Sequence, residues 1–260
     1  MAYHTTPYLL LFLPAALLFY QITPAKWRSY TLLIFSYFFF WSFSEKLIIY
    51  LIGTTFLTHH ICIWMDTMDK RDKRKKRVFQ LGILLLLGTI LCLKYRNFFF
   101  GNVSKLAMVL HIDWSYQDQL IFLPIGISFY TLSAIGYMAD VYWGKVKAEY
   151  SLVKTALFLG FFPVIVEGPI CRWEDVEDTL FKNESVKAEN VFKGCYRIIW
   201  GLFKKMIIAD RLAVLVDKVY VGYESYSGAV IVAAAISYTI QLYMEFSGCM
   251  DMVIGSAGLF

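Results

Sequence analysis

Long apolar runs, several near the length that a bilayer demands, constrain this chain more than any other feature of its sequence. A membrane-crossing helix needs about 20 mostly apolar residues. Candidate runs lie at residues 8–21, 30–43, 47–65, 78–95, 120–142, 152–170 and 228–260, the first two being short enough to need their flanks. Hydrophobic residues make up 58% of the chain and charged residues 17%, against roughly 45–50% and about 25% in soluble domains. A soluble fold of this size could not hide so much apolar surface, so the solvent it implies is lipid. The expected fold class is all-α: a polytopic transmembrane helical bundle with re-entrant and interfacial helices. No long linker, low-complexity stretch or internal repeat divides the sequence, and residues 1–260 are expected to form a single transmembrane domain.

Charge sets the expected topology. Much of the net charge of +5 lies in residues 70–77, which read KRDKRKKR. Between two apolar runs, such a segment reads as a cytoplasmic loop that fixes orientation, with binding to anionic lipid as a compatible extra role. No nucleic-acid partner is expected. Lys26 and Arg28 follow the first run, so alternation of the segments puts the N-terminus outside the cytoplasm. The fifth run then brings Lys145 and Lys147 back to the cytoplasmic side. The first run has no basic segment before it and no small-residue cleavage site, which fits a signal-anchor helix. The five cysteines are scattered, without a CxxC pair, so neither a metal site nor a disulfide framework is expected.

Two segments depart from simple spans. Residues 161–169, FFPVIVEGP, put two prolines, a glycine and a carboxylate into an apolar stretch. Proline removes a backbone donor, and irregular backbone at membrane depth must be covered by protein or a water-filled cavity. A re-entrant pair of short helices is expected there. Further on, Lys193, Arg197, Lys204 and Arg211 are spaced four, seven and seven apart, which places them on one helical face. That pattern fits an amphipathic helix in the cytoplasmic interface, or else a cationic rim for the phosphates of an acyl carrier.

Polar groups inside apolar runs are the candidates for chemistry. Tyr130, Ser133, Tyr137 and Asp140 follow a three–four–three spacing and share a face. They could hydrogen-bond between helices or line a substrate tunnel. In the last run, Gln241, Glu245 and Gly248 share a face, with Asp251 beyond them. Residues 229–260 would make about 48 Å of straight helix at 1.5 Å per residue, against a hydrocarbon core of about 30 Å. The run is therefore expected to be either broken, with Ser247-Gly248-Cys249 as the natural break, or strongly tilted. Carboxylates at that depth mark a functional or a paired structural site. His4 and His111 read as ordinary surface residues, and neither His59 nor His60 fits a catalytic motif. Gly-rich phosphate loops, HExxH and GxSxG are all absent.

Four stretches, in this order, resemble signatures of bacterial membrane-bound O-acyltransferases. The first runs from Leu123 through Thr131 (LPIGISFYT) to Asp140-Val141-Tyr142. The second is Glu167-Gly168-Pro169-Ile170-Cys171-Arg172. The third starts at Gly201 and ends at Arg211 (GLFKKMIIADR), and the fourth starts at Gln241 and ends at Gly255 (QLYMEFSGCMDMVIG). The resemblance implies transfer of an acyl group, acetyl in the polysaccharide-modifying branch, from a cytoplasmic thioester donor (acyl-CoA or an acyl carrier). The acceptor would be a hydroxyl of an exported or cell-surface polysaccharide, reached through a tunnel across the bacterial cytoplasmic (inner) membrane. Implied partners are the lipid bilayer, the acyl donor, and the polysaccharide or a secreted acyl-acceptor protein. No bound cofactor or metal is implied. Arg172, Lys204 and Lys205 are assigned to the donor side, and Tyr130, Ser133, Asp140, Gln241, Glu245 and Asp251 to the tunnel. In the family a buried histidine activates the acceptor hydroxyl, several tens of residues after the fourth motif. That position falls beyond Phe260, so the chain reads as an N-terminal part, inactive alone. The family usually has Asp where this chain has Glu245, Tyr where it has Cys249, and a small residue where it has Glu167. The alternative is a non-catalytic membrane scaffold or glycan-export component.

Overall fold

In lipid every backbone N–H and C=O must find a partner within the protein, and a helix supplies those partners within one segment. A computed structural model describes residues 3–69, 72–110, 124 and 126–260. Among the described residues all regular structure is helical, so the chain is all-α as its composition predicts. The helices are α1 (Pro7–Ile22), α2 (Arg28–Ser44), α3 (Ile48–Asp66), α4 (Lys73–Lys94), α5 (Arg96–Val109) and α6 (Ile127–Trp143). They continue with α7 (Leu152–Gly160), α8 (Trp173–Leu180), α9 (Ala188–Leu202), α10 (Asp210–Val221) and α11 (Gly228–Ala257). A wider π-helical turn, Phe203–Ala209, joins α9 to α10. Among the described residues, three helical runs are long and apolar enough to cross a membrane: Ala25–Asp66, which contains α2 and α3, then α4 and α11. Their outward faces carry bare apolar side chains, among them Ile34, Leu84 and Ile236.

Several expectations need correcting. Helix α4 starts within the basic run rather than after it, because Asp72 caps it: its Oδ1 accepts the Arg74 N–H at 2.7 Å. Lys70 and Arg71 lie outside the described residues, as do His111 and residues 120–123 and 125 of the fifth predicted run. Helix α5 was not anticipated. Its short apolar sequence, broken by Asn97, Gly101, Asn102 and Lys105, has too weak a period to read as a span. In the sixth run only α7 is helical, and residues 161–172 form turns and irregular chain instead of a second short helix. Pro163 and Pro169 lack the amide hydrogens that a helix needs there. Of the two alternatives for the last run, the break at Ser247-Gly248-Cys249 is absent, since α11 is one helix of 30 residues. At 1.5 Å per residue it is about 45 Å long, longer than the hydrocarbon core.

The chain divides into two compact units. One consists of residues 36–166 and 170–181. Its core gathers Ile61, Cys62 and Met65 of α3, Val78 and Leu86 of α4, and Ala134, Tyr137 and Met138 of α6. Trp173, at the start of α8, is fully buried and stacks on Tyr137 with centroids 4.8 Å apart. Helix α6 begins at Gly126, whose φ of 75° lies in the left-handed region. A side chain there would run into the carbonyl of Ile165, so glycine meets two demands at once.

The other unit consists of residues 1–35, 167–169 and 182–260. Asn183, with φ 53°, makes a turn that tolerates the left-handed conformation. Its carbonyl accepts from Arg28 at 2.8 Å and its Oδ1 from Ser29 at 2.7 Å. The main contact in this unit is between α9 and α11, which meet through glycines. A Cβ on Gly194 would stand 2.8 Å from the Gly255 carbonyl oxygen, and one on Gly201 would stand 2.5 Å from that of Gly248. Converse clashes hold for Gly248 and Gly255. The pairs 194/255 and 201/248 run in opposite senses, so the helices are antiparallel. Both glycine sets repeat every seven residues, two helical turns, and allow backbone-to-backbone contact as small residues do in membrane helices.

Candidate functional site

Where α9 gives way to the π-turn, the backbone of Lys204 and Lys205 crosses α11 at Gly248. A Cβ on Gly248 would lie 3.1 Å from the Lys205 nitrogen and 3.2 Å from the Lys204 Cβ. From this crossing the two lysines reach to different partners. Lys204 Nζ donates to Asp251 Oδ2 at 2.6 Å and to Ser247 Oγ at 2.9 Å. Lys205 Nζ donates to Glu245 Oε1 at 2.6 Å and to Asp210 Oδ1 at 2.9 Å. One turn before Gly201, Arg197 Nε donates to Asp251 Oδ1 at 3.0 Å. Three cations and three carboxylates thus form a charge-balanced cluster. Its centre is sheltered, with the side chains of Lys204 and Asp251 only 18% and 14% exposed. Burial opposes the charge on Lys205, but its hydrogen bonds to Glu245 and Asp210 outweigh that and hold its pKa above the ordinary lysine value.

The unbroken helix makes this cluster possible. Gln241, Glu245, Gly248 and Asp251 succeed one another at intervals of four, three and three, so a continuous α11 keeps them along one side. Gly248 serves close packing against α9, and this is why no break occurs there. The wide turn also revises the amphipathic reading of residues 193–217. It inserts an extra fraction of a turn, so Arg211 does not continue the line through Arg197 and Lys204. These two cations point at Asp251. Residues that the sequence assigned to separate places, Lys204 and Lys205 on the donor side and Glu245 and Asp251 in a tunnel, pair directly with one another.

Beside the cluster, the Cys249 thiol donates to Glu167 Oε2 at 2.8 Å. Two of the three positions at which the chain departs from the family pattern therefore touch. A small thiol replaces a large phenol, and a carboxylate replaces a small side chain in the adjoining space. Sequence spacing could not have revealed this pair, which lies 82 residues apart. Gln241 is half-buried, and its Oε1 has no hydrogen-bond partner among the described residues.

The remaining candidates lie in the other unit. Tyr130, Tyr137 and Asp140 are buried on one side of α6, and Ser133 is half-buried. Tyr137 Oη accepts the Glu149 N–H at 2.8 Å, and Asp140 pairs with Lys145 at 3.7 Å. Both therefore have structural partners. Tyr130 packs edge-on to Phe40, and its buried hydroxyl has no partner among the described residues. Arg172, just before α8, is exposed and makes no side-chain ion pair among the described residues. His59 is buried with Nδ1 3.1 Å from Thr155 Oγ1. The Thr155 hydroxyl also donates to the Ser151 carbonyl at 3.3 Å, which ties His59 into the start of α7.

No protein-family profile matches the chain, but curated proteins do. It is 32% identical over 255 residues to the "Probable alginate O-acetylase AlgI" of Pseudomonas aeruginosa, covering 98% of this chain and 48% of that protein. The protein of the same name from Azotobacter vinelandii is also 32% identical, with 98% of this chain and 50% of that one covered. The peptidoglycan O-acetyltransferase of Helicobacter pylori is 27% identical over 295 residues, covering 99% and 54%. The chain belongs to the membrane-bound O-acyltransferase family. It spans about half the length of the curated relatives it matches. Membership extends the resemblance beyond the four motifs to nearly the whole chain, including the first 120 residues, where the sequence alone had offered only hydropathy.

Proposed function

We propose that this chain is part of an O-acyltransferase that moves an acyl group, acetyl by analogy with its relatives, onto a hydroxyl of an exported or cell-surface polysaccharide. The observation that carries this reading is the likeness to O-acetyltransferases named for two different glycans, over at least 98% of the chain. What they share is O-acetyl transfer to a glycan. The donor is a thioester on the cytoplasmic side of a bacterial inner membrane that the protein crosses several times.

In this reading the α9–α11 cluster acts in transfer by holding charge at a fixed place inside an apolar helix pair. Attack of a hydroxyl on a thioester builds negative charge on the carbonyl oxygen, and fixed donors stabilise such charge without reorganising. Lys204 and Lys205 are the donors proposed for this task, with Asp251 and Glu245 holding them in position. Tyr130, Ser133, Asp140 and Gln241 are proposed to line the acceptor path, and Arg172 to face the donor. The base that activates the hydroxyl is assigned to no residue of this chain.

Deletion of the gene encoding this chain tests the reading. Ester-linked acetate on the organism's exported glycans, released by mild base and quantified, should fall to background and return on complementation. Unchanged acetate would favour the non-catalytic scaffold.

A further inference from the structure

The wide turn between α9 and α10 brings together two side chains that a regular helix would hold apart. Lys205 and Asp210 are five residues apart, which in an α-helix turns them about 140° from each other. Here the Asp210 N–H donates to the Lys205 carbonyl and closes the larger ring of a π-turn. Asp210 Oδ1 thereby comes within 2.9 Å of Lys205 Nζ. The turn is braced at both ends: Phe203 stacks on Trp200 with ring centroids 5.3 Å apart, and Ala209 is buried. Single wide turns of this kind are rare in helices and concentrate at functional positions.

An ammonium carries three N–H donors. Lys205 spends one on Glu245 of α11 and one on Asp210 of α10, and the third has no partner among the described residues. With two donors fixed from two different helices, the direction of the third is fixed as well. The Lys205 side chain is only 18% exposed, so this donor stands in a sheltered place. Lys204 is held differently: both its bonds go to α11, at Asp251 and Ser247, and its ammonium lies 5.8 Å from the Trp200 ring centroid. Of the three carboxylates in the cluster, only Asp210 lies outside α11.

We propose that Asp210 is a positioning residue for acyl transfer. From across the wide turn it fixes the Lys205 ammonium against Glu245, so that the third N–H meets the carbonyl oxygen of the acyl group. The inference rests on the transferase reading above, in which that oxygen gains negative charge as the hydroxyl attacks, and a donor already in place stabilises it without reorganising. Asp210 acts through Lys205 and touches no reacting atom.

The test compares Asp210→Asn, Asp210→Glu and Asp217→Asn with the parent and with a gene deletion, in cells with matched membrane levels. Asp217 is exposed on α10 and outside the cluster, so its variant should behave as the parent. Ester-linked acetate on exported glycan should fall about fivefold or more in Asp210→Asn, part of the loss expected for removing such a donor outright. Asp210→Glu, which restores the carboxylate, should recover most of it. The second readout is labelling of lysines in isolated membranes by an amine-reactive ester at alkaline pH, quantified by mass spectrometry. Asp210 is one of the two partners that hold Lys205 protonated. Its loss should free the amine at lower pH and raise the Lys205-to-Lys204 labelling ratio about threefold. General loosening of the helix pair would instead raise labelling at both lysines. Parental acetate in Asp210→Asn overturns the proposal, and so does a fall in acetate without a selective rise at Lys205. If deletion of the gene leaves acetate unchanged, the transferase reading fails and the proposal falls with it. Acetate that depends on the gene but not on Asp210 defeats the positioning role alone.

Discussion

Asp251 is the residue on which most of the site converges, because it anchors both Arg197 and Lys204 while only 14% exposed. Removing one partner of a sheltered ion pair costs more than the pair contributes, since the other charge is left without compensation. Asp251→Ala should therefore destabilise the protein by about 3 kcal/mol. A double-mutant cycle with Lys204→Ala should show a coupling of about 1–3 kcal/mol, measured by thermal unfolding in detergent. Additive effects would mean that the two side chains do not meet. The Glu167–Cys249 contact gives a second prediction. Glu167→Ala and Cys249→Tyr should each lower the unfolding midpoint, one by leaving space and the other by crowding it. Combined, they should recover most of the loss, because the tyrosine fills the space that the carboxylate vacates. At this scale the sequence was informative about identity and blind to pairing. Glu245 and Asp251 stood out as carboxylates in an apolar run, and Lys204 and Lys205 as cations next to one. That these are partners depends on a helix crossing that no local spacing encodes.

Glycine is used in two ways along the helices, and the consequences are opposite. On the α9–α11 contact, Gly201 and Gly248 have no room for a Cβ. Gly201→Ala should cost about 1–3 kcal/mol as an overpacking substitution and should loosen the ion pairs next to it. Gly136, inside α6, has nothing within 4 Å of its would-be Cβ. Gly136→Ala should stabilise by about 0.5–1 kcal/mol through the reduced freedom of the unfolded chain. The unfolding midpoints should move in opposite directions, and a fall in both would contradict the packing described. The same contrast explains where the helices could be read from sequence. Segments α2, α3, α4 and α11 declare themselves by long apolar runs. The continuity of α11 through Gly248 did not, because a glycine that ends a helix and a glycine that lets two helices touch look the same in one dimension. Helix α5 went unrecognised for a related reason: a short helix with polar interruptions has neither the length of a span nor a clear period.

At the scale of the molecule, three helical runs of spanning length and composition among the described residues and kinship with membrane-bound O-acyltransferases together make this a membrane protein. The charged groups within its apolar helices are expensive there unless paired, and the balanced cluster between α9 and α11 meets that condition. A cluster kept only for stability would tolerate replacement by a well-packed neutral set, whereas one used in transfer would not. The most direct measurement is ester-linked acetate on exported glycan in cells carrying Lys205→Gln together with Glu245→Gln, at membrane levels matched to the parent. This pair keeps the shape and hydrogen-bonding capacity of the site, removes one cation and one carboxylate from it, and leaves Arg197, Lys204, Asp210 and Asp251 charged. The account predicts that acetylation falls at least about tenfold, the effect of losing one charged stabilising group. Acetylation at the parental level, with equal protein in the membrane, would contradict it.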